Sequence, residues 1–277
     1  MLTALAEHQT AIRLSAFGGV FAAMALWELI APRRALNLSR WQRWPNNIGI
    51  VVLNSVLVRF LIPTAAVGIA LTAESEAWGL FNQLQLPAWI EIVAAILLLD
   101  FIIYLQHVTF HAVPFLWHLH RMHHADLDFD VTTGSRFHPL EILLSILIKM
   151  VAVLMLGPAV AAVVLFEVLL NASSLFNHGN VRMPHALDRM LRSIIVTPDM
   201  HRVHHSIEPR ETNSNFGFNL SVWDRLAGTY RAQPALAHDA MTIGIEQFRE
   251  PGASRIDRLV IQPFLGADER YSINRRD

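Results

Sequence analysis

The sequence of 277 residues contains no cysteine. This excludes disulfides, thiolate zinc sites, iron–sulfur clusters and a cysteine nucleophile. Charged residues are also scarce, at 16% of the chain against roughly 25% in soluble domains. The formal net charge of -1 provides no basic face for nucleic acid, and Lys149 is the single lysine. These shortages argue against a soluble, disulfide-rich or nucleic-acid-binding protein.

Apolar residues are abundant instead, at 53% of the chain, and they form long runs at 11–31, 48–72, 88–106 and 140–176. A membrane-spanning helix needs about 20 mostly apolar residues, so the first three runs each fit one span. The fourth run is long enough for two short spans, which the turn-forming pair Gly157-Pro158 separates. The sequence predicts an all-α integral membrane helical bundle of four to five spans. A cytoplasmic helical cap, expected at residues 184–277, carries histidine clusters. A buried soluble helical bundle is the alternative.

The distribution of charge between the loops predicts the topology. The loop after the first span is rich in arginine, and the loop after the second carries two glutamates and no basic residue. By the positive-inside rule the arginine-rich loop is cytoplasmic. Counting spans from there places every histidine cluster on the cytoplasmic side. We therefore expect a multi-pass protein of a bacterial inner membrane with its active site facing the cytoplasm.

Histidine is the second excess, with 14 copies, and eight of them form three clusters. Residues at i, i+3 and i+4 share one face of a helix, so the imidazoles of one cluster can reach one metal ion. The clusters are His107-x-x-x-His111, His120-x-x-His123-His124 and His201-x-x-His204-His205. We expect these eight histidines to be metal ligands and to carry the catalysis.

His178 and His138 are two further candidate ligands. His178 ends a polar stripe that begins at Glu167, and His138 precedes Pro139 where the chain re-enters the membrane. Nine or ten imidazoles exceed what one ion can bind, so the pattern predicts two metal ions. Imidazole suits zinc, copper, iron and nickel, so the ligand type leaves the metal open. Because these donors lie at a membrane surface, redox iron that activates oxygen near a lipid chain fits them best.

Several ionisable residues lie within the apolar runs. Because such groups are costly in a bilayer, we expect them to have supporting roles. Asp100 lies on the stripe of His107 and His111, where it could accept a hydrogen bond from a ligand imidazole. Glu141 and Lys149 share a face of the fourth span, so Lys149 either pairs with Glu141 or extends to the interface. Glu167 and other polar groups of this region line a substrate channel or pair with one another.

The three clusters, in this order, resemble those of the fatty acid hydroxylase/sterol desaturase superfamily of integral membrane proteins. The segments Thr212-Asn213-Ser214-Asn215-Phe216-Gly217 and Trp223-Asp224-Arg225-Leu226-Ala227-Gly228-Thr229-Tyr230 also match this family. The resemblance covers roughly residues 100–230, and it departs at Ser174, where relatives often carry His or Gln. We expect Asn213 and Asn215 to bind ligand imidazoles, and Trp223-Asp224-Arg225 to lock the cap onto the bundle.

The resemblance implies a non-haem enzyme with two iron ions that uses O2 and two electrons to hydroxylate or desaturate a lipid C–H bond. A separate electron donor is then required: a cytochrome b5-like protein, a ferredoxin or a reductase. The expected organisation is a membrane anchor at 1–87, a catalytic domain at 88–230 and a cytoplasmic C-terminal tail at 231–277.

Two other functions are compatible with the sequence. A membrane zinc hydrolase would act on lipid esters or amides, although no carboxylate lies within a histidine cluster to act as general base. A non-enzymatic metal carrier would place its ligands along a path through the bilayer. The lipid and the choice between hydroxylation and desaturation are not encoded in these motifs.

Overall fold

The computed structural model describes residues 2–266 and 271–273, with side chains from residue 8 onward. Residues 267–270 and 274–277 of the predicted C-terminal tail lie outside the described residues. Over the described ranges the α-helices are α1 Leu2–Ile30, α2 Arg40–Leu61, α3 Ala65–Ser75, α4 Ala88–Ala112, α5 Pro114–His124, α6 Pro139–Leu156, α7 Val160–Asn177, α8 His185–Leu191, α9 Pro198–His204, α10 Pro209–Thr212, α11 Val222–Ala227 and α12 Ile256–Ile261. Short 3-10 helices are found at Phe81–Gln83, Thr133–Ser135, Pro251–Ser254 and Gln262–Phe264. Strand pairing in these ranges is limited to three isolated bridges.

Five helical segments of the described chain are long and apolar enough to cross a membrane, which confirms the predicted helical bundle. They are His8–Ile30, Arg40–Ser75, Ala88–Ala112, Pro139–Leu156 and Val160–Asn177. The second segment is broken between α2 and α3 at Pro63, because proline lacks the N–H that would continue the helix and disfavours the helical conformation at the preceding residue.

The predicted turn between the last two spans is confirmed at Gly157. This residue ends α6 with a φ of 59°, in the left-handed region that favours glycine. A Cβ at this position would lie 2.2 Å from the carbonyl oxygen of Trp78, so space as well as backbone conformation requires glycine. Helix α7 then runs back through the bundle, packed against α1, α3 and α4.

Buried charges join the spans. Lys149 of α6 pairs with Glu167 of α7, and Arg13 of α1 approaches the same carboxylate at 3.0 Å. The two alternatives for Lys149, pairing with Glu141 or extension to the interface, are therefore wrong. The pair does confirm that polar groups of this region bind one another. Glu167 provides the counter-charge within the bundle, which avoids the cost of an unpaired ion in an apolar medium.

Arg43 connects α2 to the loop between α5 and α6. Its guanidinium is fully buried and donates two hydrogen bonds to Asp126, at 2.8 and 2.7 Å, and one to Asp130 at 2.5 Å. Burial alone would raise the pKa of Asp126, but the attraction of Arg43 and Arg136 lowers it below its usual value. The network fixes residues 126–136, which follow the second histidine cluster.

Replacing Arg43 should destabilise the protein strongly. In Arg43→Met the carboxylates of Asp126 and Asp130 stay buried without their main counter-ion, and breaking such a buried pair costs about 3–5 kcal/mol. We expect a markedly lower thermal unfolding midpoint in detergent, measured by intrinsic fluorescence. Arg59→Met, which changes an exposed arginine of the same helix, should leave the midpoint almost unchanged. Equal midpoints for the two variants would contradict the role of Arg43.

Candidate metal centre

Nine histidines from four parts of the chain meet at one end of the bundle. His107 and His111 occupy the last turns of α4, and α5 carries the cluster at 120–124. His178 directly follows α7, while the third cluster lies on α9 and at the residue after it. Each of the nine is at least 94% buried.

Within the described residues these side chains form two groups whose ligand nitrogens lie within 4.8 Å of one another. The first group is His107, His111, His120, His124 and His204, and the second is His123, His178, His201 and His205. Each H-x-x-H-H cluster therefore contributes to both groups. Its i and i+4 histidines stay together because they are only about 40° apart around a helix, whereas the histidine at i+3 is about 100° from the one at i+4.

In the first group, hydrogen bonds determine which ring nitrogen carries the proton. The Nδ1–H of His107 donates to the carbonyl of Phe216 at 2.8 Å, and that of His204 to the carbonyl of Ser214 at 2.7 Å. The Nδ1–H of His120 donates to the carboxylate of Glu141 at 2.7 Å. A neutral imidazole has one N–H, so the Nε2 atom of each ring keeps a free lone pair.

These Nε2 lone pairs converge. The Nε2 atom of His107 lies 3.1 Å from those of both His120 and His204, with no proton to place between them. Two nitrogens bound to one ion at about 2.1 Å are separated by about 3.0 Å when their bonds meet at a right angle and by about 3.4 Å at the tetrahedral angle. The Nε2 atoms of His111 and His124 are also buried without a hydrogen-bond partner among the described residues. The first group therefore fits a metal ion.

The second group is built in the same way. The Nδ1–H of His178 donates to the carbonyl of Ser174 at 2.8 Å, and that of His123 to the carbonyl of Arg136 at 3.2 Å. The Nε2 atom of His178 then lies 3.1 Å from that of His123 and 3.2 Å from that of His201. Both ring nitrogens of His205 are buried without a partner in the described chain. This group also fits a metal ion.

The two groups adjoin. The rings of His124 and His205, one from each group, stack with centroids 4.6 Å apart and planes at 16°. The rings of His201 and His204 stack at 5.0 Å. Two ions bound here would be neighbours. We call the buried region that the nine histidines share the chamber.

Burial keeps the imidazoles of His178 and His204 neutral. It lowers the pKa of His178 to about 3 and that of His204 to about 3, against an ordinary value of 6.5. At neutral pH both rings are therefore unprotonated at Nε2, which is the state that metal coordination requires.

Two side chains orient the ligand rings directly. Asn213 accepts the Nδ1–H of His111 at 3.1 Å, which confirms its predicted contact with an imidazole. Glu141 accepts a hydrogen bond from His120. This contact joins two helices, so the pattern along α6 alone does not predict it. The available signal was its position in the first turn of α6, close in sequence to the second cluster. Asn215 instead donates to the carbonyls of Met200 and Arg231, so the prediction for that residue is wrong.

His138 lies outside both groups. Its Nδ1 accepts the backbone N–H of Leu140 at 3.2 Å, which caps α6, so its proton is on Nε2 and donates to the carbonyl of Val260 at 3.1 Å. Both nitrogens are thus used by the backbone, and the structure gives this ring no place among the convergent imidazoles.

Asp100 also differs from expectation. It accepts the indole N–H of Trp223 at 2.8 Å and the backbone N–H groups of Asn219 and Leu220, and it binds no imidazole. The carbonyl of Phe216 takes the His107 proton that Asp100 was expected to accept. The contact with Trp223 confirms that the 223–225 segment joins the cap to the bundle.

The end of the described chain closes the chamber from outside. Tyr271 stacks on Trp117, a neighbour of His111, and its backbone carbonyl accepts from Asn213 at 2.9 Å. Arg121 donates to the carbonyl of Gln262 at 2.7 Å. The part of the predicted tail that the structure describes is therefore packed against the site.

Alanine substitution should remove metal from one group at a time. His204→Ala affects the first group and His201→Ala the second, so each variant should retain about one of two metal equivalents, measured by mass spectrometry of metals on detergent-purified protein. His138→Ala is the matched control and should retain the full amount. Equal loss in all three variants would contradict the grouping.

Glu141 should tune the metal affinity of the first group through His120. Removing a partner that orients a ligand histidine lowers metal affinity by about 10–100-fold. Glu141→Leu should therefore weaken binding in a chelator competition, while Glu141→Gln, whose amide oxygen can still accept the Nδ1–H, should retain most of it. An equal loss in the two variants would show that the hydrogen bond to His120 is not the cause.

Comparisons with known proteins agree on one protein family. The model of the fatty acid hydroxylase family matches residues 92–229, about half of the chain and all nine convergent histidines. An ornithine lipid hydroxylase of Rhizobium tropici is 31% identical over 150 residues, which cover 54% of this chain and 44% of that protein. An alkylglycerol monooxygenase of Xenopus tropicalis is 25% identical over 234 residues, 80% of this chain and 49% of the relative.

The human alkylglycerol monooxygenase is 27% identical over 175 residues, 60% of this chain and 36% of that protein. The matched region thus spans less than half the length of each of these curated relatives. No solved structure gives a significant match. The order of the histidine clusters, the all-helical membrane bundle and the family match agree, and the chain belongs to the fatty acid hydroxylase superfamily.

Proposed function

We propose that this protein is a membrane-bound di-iron oxygenase that hydroxylates a C–H bond of a lipid with O2 and electrons from a separate donor. The observation that carries the proposal is the pair of adjoining, fully buried imidazole groups. All nine candidate ligands are histidines, and the two groups lie at the end of a bundle with the composition of a membrane protein.

The donor set favours iron used for redox chemistry over zinc used for hydrolysis. A zinc hydrolase needs a general base close to its metal-bound water. Among the described residues, Glu141 is the carboxylate that contacts a convergent imidazole, and its Oε1 already accepts the hydrogen bond from the Nδ1–H of His120. Bound iron would supply the activation of O2 and the removal of hydrogen from an unactivated C–H bond.

The protein's own contribution is to position the imidazoles and exclude water. The ring of Phe137 stacks on His123 with centroids 4.4 Å apart, and Phe129 stacks on His178 at 5.4 Å. Backbone carbonyls hold the protons of His123 and His178 on Nδ1, so the rings cannot turn without losing a hydrogen bond. Burial of this kind would protect an oxidising reaction from bulk water.

The names of the relatives support a lipid as substrate and hydroxylation as the reaction. One acts on an ornithine lipid and another on an alkylglycerol, so both names describe oxygen transfer to a lipid. We propose the same class of reaction for this chain, acting on a membrane lipid. We propose that a separate cytochrome b5-like protein, ferredoxin or reductase supplies the electrons.

We further propose that the chamber faces the cytoplasm, and that the membrane is a bacterial inner membrane. The arginine-rich segment between α1 and α2 lies at the same end of the bundle as the histidines, where Arg33 and Arg34 contact Asp239 and the carbonyl of Met241. The positive-inside rule assigns this end to the cytoplasm. For the domain organisation we propose a membrane anchor at 1–87, a catalytic domain at 88–230 and a cytoplasmic C-terminal tail at 231–277.

Isotope labelling tests this function. Iron-loaded protein in nanodiscs made from total bacterial lipid should, with ¹⁸O2 and a chemical or enzymatic reductant, produce a lipid that carries one ¹⁸O atom, detected by mass spectrometry. Zinc-loaded protein and anaerobic iron-loaded protein are the controls and should give no labelled product. Release of fatty acid by the zinc form without O2 would instead support a hydrolase, and bound metal with neither activity would support a carrier.

A further inference from the structure

Large apolar side chains are exposed on the cap, where the sequence predicts a surface in water. Leu226 of α11 is 75% exposed, Ile194 is 65% exposed and Met190 of α8 is 62% exposed. The backbone N–H of Ser221, just before α11, donates to the carbonyl of Ile194 at 3.0 Å, so the two parts of this surface are adjacent. We call Met190, Ile194 and Leu226 the apolar patch. Exposed apolar groups that adjoin one another mark a contact surface.

The contact of this region with α4 determines its depth in the membrane. Asp100, which binds the indole of Trp223, is the middle residue of the 25-residue helix Ala88–Ala112. It is therefore about 18 Å from either end of a helix about 37 Å long. A hydrocarbon core is about 30 Å thick, so Asp100 lies about 11 Å inside it even when all of the excess helix projects on the histidine side.

The patch continues a surface that already faces lipid. The ring of Trp223 lies 4.9 Å from that of Phe101, centroid to centroid, and Phe101 is 37% exposed on the α4 span. Leu105, one turn further along α4, is 45% exposed. Helix α11 thus lies beside a membrane-spanning helix at the level of its apolar residues.

The backbone around the patch has the internal hydrogen bonds that a bilayer requires. Non-helical backbone at membrane depth is tolerated only where its polar groups are satisfied by the protein. Asp224 accepts the N–H groups of Phe216 and Gly217, both at 2.8 Å, and Asp100 accepts those of Asn219 and Leu220. Two buried carboxylates therefore serve four backbone donors of the 216–220 loop.

The arginine next to Leu226 is compatible with the same environment. The guanidinium of Arg225 lies over the ring of Tyr230 at 3.9 Å and donates to the carbonyl of Arg192 at 3.0 Å. Its charge is thus held by protein groups, and long basic side chains at an interface keep their charged ends near the polar region.

We propose that the cap enters the bilayer through the apolar patch, so that Met190, Ile194 and Leu226 contact the acyl chains of the leaflet on the histidine side. The cap is then a partly embedded structure rather than a domain standing in water. The proposal depends on the membrane-spanning bundle and is independent of the metal or the reaction.

Site-directed spin labelling tests the proposal. Because the sequence has no cysteine, each introduced cysteine is the single labelling site. Leu226→Cys and Ile194→Cys would carry a nitroxide label in nanodiscs of phosphatidylethanolamine and phosphatidylglycerol. Leu236→Cys is the matched control in the cap, since Leu236 is 58% exposed. Leu105→Cys is the lipid-facing reference. Electron paramagnetic resonance then measures collisions with O2, which concentrates in the acyl region, and with a water-soluble nickel chelate.

We expect the labels at 226 and 194 to match the reference at 105, with collisions that favour O2 several-fold more than at 236. Labels at 226 and 194 that behave like the label at 236 would overturn the proposal. Spin–spin broadening between labels at 226 would also overturn it, because it would show that a second copy of the chain covers the patch. Neither readout uses iron or turnover, so the result does not depend on the proposed function.

Discussion

The geometry of the metal centre depends on which ring nitrogen of each neutral imidazole carries its single proton. In six of the nine convergent histidines, that proton is on Nδ1 and is held by a carbonyl, a carboxylate or an amide oxygen. The Nε2 lone pairs are consequently directed at one another in a space from which water is excluded. Without a cation such an arrangement is repulsive, and with one it is a ready-made coordination shell. The partners of Nδ1 and the burial of the rings both serve this condition.

Much of the remaining polar structure holds the segments that supply those oxygen atoms. The carbonyl of Arg136 belongs to the loop that Arg43 and Asp126 fix, and the carbonyl of Phe216 to the loop that Asp100 and Asp224 fix. Buried charges in a membrane bundle are costly, so their presence here is best explained by what they position. The centre is therefore rigid because its irregular loops, and not only its helices, are held in place.

The sequence predicts the spans, the turn at Gly157 and the three histidine clusters, because these follow from local periodicity and composition. It did not predict how the histidines divide. The helical spacing predicts that the imidazoles of one H-x-x-H-H cluster reach one metal ion, yet His123 and His204 each join the group opposite to that of their neighbours. That division is set by the rotation of α5 and α9 against each other, which is a tertiary property. For the same reason, the position of Asp100 on the stripe of His107 and that of His138 at the start of a span do not determine what these side chains bind. Both bind backbone groups in the fold.

The most direct test of this account is X-ray absorption at the iron edge, combined with metal stoichiometry, on detergent-purified protein loaded with iron. The account predicts about two irons per chain with a first shell dominated by imidazole nitrogen, because the nine convergent donors are all histidines. A single iron per chain, or a first shell dominated by carboxylate oxygen, would contradict it.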